Sequence, residues 1–214
     1  MSGPVKRRAY DTTGRQARSA ATRQRILDAA GDLIVQRGYG QTTMAAVAAA
    51  AAVHVDTVYA LVGRKPDVVS ELVERALSGT DQAIPAVERP YVAQIRAASA
   101  PESKLAVYAR ATREMLPRVA PLFVALRDAA GRDRSARRLC RQFSDRRAAN
   151  MRLFVQDLAD AGGLRPGIDI DEAADTVWAT NSPELYVMLT DERGWSSERF
   201  ENWLLTTWSR LLLP

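Results

Sequence analysis

At 214 residues the chain has room for one ordinary domain or two small ones around a real core. No apolar run reaches the ~18 residues of a membrane span and no signal-peptide core follows Met1, so the expected setting is cytoplasmic, without a membrane partner. The formal charge of +5 suits a polyanionic partner, the single Cys140 excludes an internal disulfide framework, and 27 Arg against 3 Lys fits a high-GC bacterial genome.

In chain order, residues 1–21 read as a flexible basic arm. Within residues 1–25, Lys6, Arg7, Arg8, Arg15, Arg18, Arg23 and Arg25 stand against Asp11 alone, and the small residues between them bury too little to offset ordering. Such an arm either tracks phosphates and enters a minor groove or is only a solvated tail. A first helix is predicted over Thr22–Arg37, with Ile26, Leu27, Ala30, Leu33 and Ile34 on one apolar stripe and Arg23, Gln24, Asp28 and Asp32 facing out. Gly38 ends it. Thr43 caps a second helix through Ala50, because its hydroxyl can accept an orphan N–H of the first turn. A break near Ala51–Val53 leads to a third helix over Val55–Val62, and Val47, Val53 and Val58 face inward to lock the three together. Two short helices around a tight turn have the geometry of a helix-turn-helix laid on DNA. Helix four opens at Pro66, a residue suited to a first turn, and stops at Gly79.

Beyond residue 80 the pattern stays helical. Pro85, Pro90 and Pro101 punctuate a short segment, and a helix is predicted over Glu102–Leu116. Pro117 and Pro121 are expected to break it before a short apolar helix over Leu122–Ala130. A long helix follows from Ser135 to Ala161. Another, capped by Asp169 or Asp171, runs to Thr190 with a kink near Ser182-Pro183. The last extends from Ser196 or Ser197 to Leu213. No stretch alternates usefully for a strand, so the fold class is all-α.

The spaced set Arg-Ile-Leu-Asp-Ala-Ala at residues 25–30, Arg37-Gly38-Tyr39, Thr43, Thr57-Val58-Tyr59 and Lys65 resembles the DNA-binding domain of the tetracycline-repressor (TetR) family of transcriptional regulators. The chain departs from the family pattern at Ala52, where a turn Gly is usual, at Val55, and at Leu61 and Val62, where aromatics are usual. The resemblance implies a helix-turn-helix domain over residues 22–66 and a helical effector-binding and dimerisation domain over residues 67–214. It further implies a ligand-responsive regulator, most simply a repressor, that binds an inverted-repeat double-stranded operator as a homodimer and is released by a small, apolar effector.

The DNA-facing residues are expected to be Thr43, His54, Val55, Asp56, Thr57, Tyr59, Ala60, Arg64 and Lys65. Val55 and Ala60 suit thymine methyls, and Asp56 either accepts from cytosine N4 or simply complements the helix N-terminus. Thr57 and Tyr59 carry hydroxyls of the kind that bind phosphate oxygens. His54, the only histidine, either caps the helix or touches DNA. Arg64 and Lys65 offer charge beside the N–H groups that open helix four. Pocket-lining side chains are sought among Tyr108, Met115, Phe123, Met151, Phe154 and Trp178, against the reading that they are ordinary core. Dimer contacts are sought among Leu185, Tyr186, Trp203, Leu204, Trp208 and Leu211, which would pair helices across a two-fold axis. The Arg-rich run from Arg132 to Arg152 reads as a solvated face or as an anion attractor. No phosphate loop, metal-ligand spacing or nucleophile–His pairing is present, so neither catalysis nor a cofactor is expected. The competing reading is an architectural DNA-binding protein with no effector and no hollow in its second domain.

Overall fold

The structure is a computed structural model and describes residues 12–214; the first eleven residues of the expected basic arm lie outside them. Ten α-helices follow in order: α1 (Thr12–Gln41), α2 (Met44–Ala50), α3 (Val55–Val62), α4 (Lys65–Ser78), α5 (Pro90–Ala97), α6 (Pro101–Ala130), α7 (Arg134–Asp160), α8 (Ile170–Thr180), α9 (Pro183–Val187) and α10 (Ser197–Leu212). A 3-10 turn covers Ala86–Glu88, a π turn covers Met188–Glu192, and no strand occurs among the described residues. None of these helices is long and apolar enough to cross a membrane.

The apolar stripe of α1 is buried as its spacing predicts, with Ile26, Leu27, Ala30 and Ile34 essentially inaccessible. The helix begins at Thr12 rather than Thr22, so the described part of the expected arm is helical. At its other end Gly38 leaves helical geometry at φ 83°, ψ 158°, a region only glycine enters easily. Arg23, expected to face out, keeps part of its side chain in water but also bridges two other helices of the head. Its guanidinium pairs with Glu71 of α4 and donates to the Leu61 carbonyl at 3.2 Å, a cation at the carboxyl end of α3.

α6 is the axis of the body and packs on α1, α4, α5, α7, α9 and α10. Pro117 and Pro121 were expected to divide it, yet the helix runs through both. Each proline forfeits one backbone bond and strains a turn, at ~3 kcal/mol in an unsupported helix. Here Leu116, Val119, Ala120, Leu122 and Phe123 are buried around the two prolines. Each large one contributes about 1.5–3 kcal/mol on leaving water, enough to hold both halves in line. The kink expected near Ser182 is a full break: α8 ends at Thr180, and Ser182 opens α9 by accepting from the Leu185 N–H at 3.1 Å.

Deep in the body Trp208 stacks on Tyr108 with ring centroids 5.5 Å apart, and its indole N–H donates to Thr180 at 2.8 Å. Trp208 and Leu204 are fully buried and Tyr186 nearly so. Three of the six expected dimer residues are therefore core of a single chain, since side chains already out of water have nothing further to bury. Leu185 and Trp203 are half-buried and Leu211 is exposed.

Candidate nucleic-acid interface and effector cavity

The helix-turn-helix unit is built from local sequence. The Thr43 hydroxyl accepts from the Ala46 N–H at 3.1 Å and so starts α2 as expected. The turn closes when Val53 N–H donates to the Ala48 carbonyl at 3.0 Å, and Ala52 adopts φ 53°, the one described non-glycine residue with positive φ. The resulting bend between α2 and α3 is 102°, within the helix-turn-helix range. Val47 and Val58 are buried at the junction and Val53 is half-buried against them.

Locking Val58 and Val62 inward turns the opposite face of α3 to solvent. His54, Val55, Asp56, Tyr59 and Ala60 are exposed there and Thr57 is half-buried. Tyr59, at 49% exposure, keeps its ring out of the core. His54 occupies the N-cap position without a side-chain capping bond; its carbonyl accepts from Thr57 N–H at 3.0 Å. Its imidazole is thus available on the outward face. The amino-terminal extension of α1 lies alongside: Arg15, Arg18, Ser19 and Thr22 share a shallow groove with Asp56, Thr57 and Ala60. Arg18 donates to the Gly14 carbonyl at 3.2 Å.

Arg64 is exposed just ahead of α4, and its N–H is held by the Asp67 carboxylate at 2.8 Å. Lys65 departs from a free phosphate hook. Its ammonium rests 4.0 Å over the Tyr39 ring, a cation–π contact that ties α4 to the end of α1. Burial lowers the Lys65 pKa, opposed by the nearby Asp133 carboxylate, while burial and then Asp133 push the Tyr39 hydroxyl up to about 12.

Behind the head, a cavity of about 180 Å³ lies between α4, the segment before α5, α6, α7 and the α8–α9 junction. Tyr108, Met115, Phe123 and Met151 line it, as the sequence suggested. Phe154 lines an adjoining hollow of about 100 Å³ that shares Tyr108 and Met151. Trp178 lines neither; its ring packs against the Arg147 guanidinium at 5.0 Å, and the cation rather than a ligand occupies that face. A polar seam crosses the floor. The Asn181 amide donates to the Tyr108 hydroxyl at 2.9 Å, and Arg147 donates to Asn181 Oδ1 at 2.8 Å and to the Trp178 carbonyl at 2.7 Å. Full burial, the largest influence, drives the Tyr108 hydroxyl far above its ordinary range, so it stays protonated.

The cavity also holds charges that sequence reasoning did not assign to it. Glu74 of α4 pairs with Arg89 at 3.2 Å and with Arg146 of α7. Nothing in the periodicity of α4 marks Glu74, and Arg146 and Arg147 are hidden inside a long Arg-rich run. That run divides in the structure. Arg137 donates to the Ala130 and Gly131 carbonyls at the end of α6, and Arg152 pairs with Asp171 at 2.6 Å, while Arg146 and Arg147 serve the cavity. Cys140 is half-buried, and burial raises its thiol pKa, the reverse of what a reactive thiolate needs.

A bent pair of short helices with an exposed outer face, carried on an all-α body with a cavity, has the geometry of a helix-turn-helix joined to a helical second domain. Residues 26–72 match the family described as bacterial regulatory proteins, tetR family. Over those residues the chain is similar to that family, and its fold as a whole is shared with several solved structures. SmeT in complex with triclosan superposes with a TM-score of 0.70 at 21% identity, covering 91% of this chain and 92% of that one. NalD, the secondary repressor of the MexAB-OprM multidrug efflux pump in Pseudomonas aeruginosa, gives 0.69 at 18%, covering 92% and 98%. The fatty acid degradation regulator FadR from Bacillus halodurans gives 0.69 at 17%, covering 88% and 94%. No curated protein sequence matches the chain. NalD and FadR are thus a repressor and a regulator.

Proposed function

We propose that the chain is a ligand-responsive transcriptional regulator, most simply a repressor, acting in the cytoplasm as a homodimer on an inverted-repeat operator. The observation that carries this reading is the outward face of α3. Val55, Asp56, Thr57, Tyr59 and Ala60 stand clear of the core on a helix that is itself locked by buried Val58 and Val62. In a major groove Val55 and Ala60 meet base edges, while Thr43, Thr57, Tyr59 and Arg64 meet phosphates. Arg15 and Arg18, bordering the same groove as Asp56 and Ala60, extend that surface toward the backbone. Lys65 contributes through the α4 N-terminus it opens, its ammonium being engaged by Tyr39. The cavity behind α4 supports an effector and weighs against a purely architectural protein, which has no use for one. SmeT, with the same fold, holds triclosan.

Selection of bound genomic fragments followed by gel-shift titration tests the reading. A specific, inverted-repeat site is expected. Tyr59→Ala should weaken binding to all sequences alike and reduce the salt slope by about one unit, the signature of one lost phosphate contact. Val55→Thr should instead change which sites are preferred. Unaltered affinity and slope in Tyr59→Ala, with unaltered preference in Val55→Thr, would remove α3 as the reading helix.

A further inference from the structure

Four charged side chains line the larger cavity: Glu74, Arg89, Arg146 and Arg147. Three guanidinium groups thus face one carboxylate. Glu74 is shared between Arg89 and Arg146, and Arg147 bonds only neutral acceptors, the Trp178 carbonyl and Asn181 Oδ1. Arg89 is almost wholly buried, so its charge has no recourse to water. Around these cations stand Tyr108, Met115, Leu116, Val119, Phe123 and Phe143, an apolar wall that strengthens every electrostatic interaction inside. Water reaches the half-exposed Arg146, but at Arg89 and Arg147 the cationic excess is costly unless an anion answers it. Burial, the leading influence on Arg147, disfavours its charge, opposed by Tyr108 and by the Glu184 carboxylate.

We infer that the cavity takes a small apolar carboxylate, about one aromatic ring in bulk, whose anionic group displaces Glu74 from Arg146 and Arg89. This deepens the effector-responsive reading and rests on it. Volume sets the size: a cavity of ~150 Å³ suffices for benzene, and this one has about 180 Å³ with guanidinium groups at its edge. Arginine favours a carboxylate because its forked donors match both oxygens. Glu74 sits ten residues into the helix that leaves the reading head, so its pair with Arg146 ties α4 to α7. A carboxylate that replaces Glu74 dissolves that tie from within. Binding energy is thereby spent on freeing α4, which makes the ligand prefer the arrangement in which the heads are released.

The test is calorimetric titration of the full chain with benzoate and with benzamide, its neutral isostere, in the parent protein, Glu74→Gln and Arg146→Gln. Benzoate should bind at least about tenfold more tightly than benzamide. Glu74→Gln should tighten benzoate by about fivefold and leave benzamide unchanged, because the competing carboxylate is gone. Arg146→Gln, half-exposed and therefore tolerated by the fold, should weaken benzoate while thermal melting is kept. Benzamide binding as well as benzoate, no benzoate uptake at millimolar concentration, or weaker benzoate binding in Glu74→Gln would each overturn the assignment. Operator release is read separately. Benzoate binding with the expected preference and no release sinks the effector-responsive reading but leaves the charge assignment standing. Release by neutral compounds without benzoate uptake does the reverse.

Discussion

Ala52 shows how a single position carries both the family's design and this chain's departure from it. The tight turn between α2 and α3 demands a left-handed residue, and Ala52 supplies it at φ 53° against the repulsion between its Cβ and the backbone. That conformation costs an L-residue roughly 1–2 kcal/mol, partly offset because glycine loses more freedom on folding. Ala52→Gly should therefore stabilise the chain by about 0.5–1 kcal/mol, seen as a melting temperature higher by roughly 1–4 °C, whereas Ala52→Val should lower it. A lower melting point for Ala52→Gly would show the turn to be unstrained. The turn at residue 52 was legible through the family resemblance, which places a Gly there; an Ala gives no such signal by itself. Which face of α3 is exposed was legible from local spacing: a helix of eight residues with Val58 and Val62 inward has its other face fixed. The fates of Arg23 and Lys65 were not. Their partners, Glu71 with the Leu61 carbonyl and the Tyr39 ring, come from other helices, and no spacing within one helix reports a contact made across two.

At the scale of elements, helices whose ends carry their own caps were readable almost to the residue. Thr43, Asp133, Asp169 and Ser196 each accept backbone N–H groups where α2, α7, α8 and α10 begin. The continuity of α6 was not readable, because proline's local cost is visible in sequence and the packing that overrides it is not. The same contrast applies to Lys104. It looks like one more surface charge in α6, yet it is buried, donating to the Ile95 carbonyl of α5 at 2.8 Å and to Asp157 of α7 at 2.6 Å. One side chain thus fastens three helices beside the smaller hollow. Lys104→Ala should destabilise the chain by about 2–3 kcal/mol, since it strands a carbonyl and a carboxylate; Asp157 keeps some access to water, which holds the loss below that of a fully buried pair. Thermal or urea unfolding measures it. A change within about 0.5 kcal/mol, the range of ordinary surface substitutions, would mean that α5 is held by apolar contacts alone.

At the scale of the whole molecule, an operator with two half-sites requires two heads held by a two-fold axis, and the carboxy-terminal helices are where that axis is proposed to lie. Sequence suggested these helices because they hold more apolar bulk than a chain end requires. It could not divide that bulk between the chain's own core and a partner. Burial makes the division: Leu204 and Trp208 of α10 have no accessible surface left, while Leu211 remains 46% exposed and Trp203 is only half-covered on the same helix. The two groups should respond differently to the same substitution. Leu204→Asp puts a charge into the core and should cost several kcal/mol, lowering the melting temperature of whatever species is present. Leu211→Asp leaves the monomer's core intact and should convert a dimer to a monomer in sedimentation, with helical content unchanged. Operator affinity should then fall by about a hundredfold or more, because one head alone forfeits the effective concentration that the second gains from being tethered. A Leu211→Asp protein that still sediments as a dimer would move the interface off this face of α10. A chain that sediments as a monomer from the outset and still binds an inverted repeat cooperatively would place the pairing on the DNA itself. In both cases the oligomeric state in solution, measured before any operator is added, decides how two α3 helices would come to be spaced by one helical turn of the duplex, as the proposed inverted repeat requires.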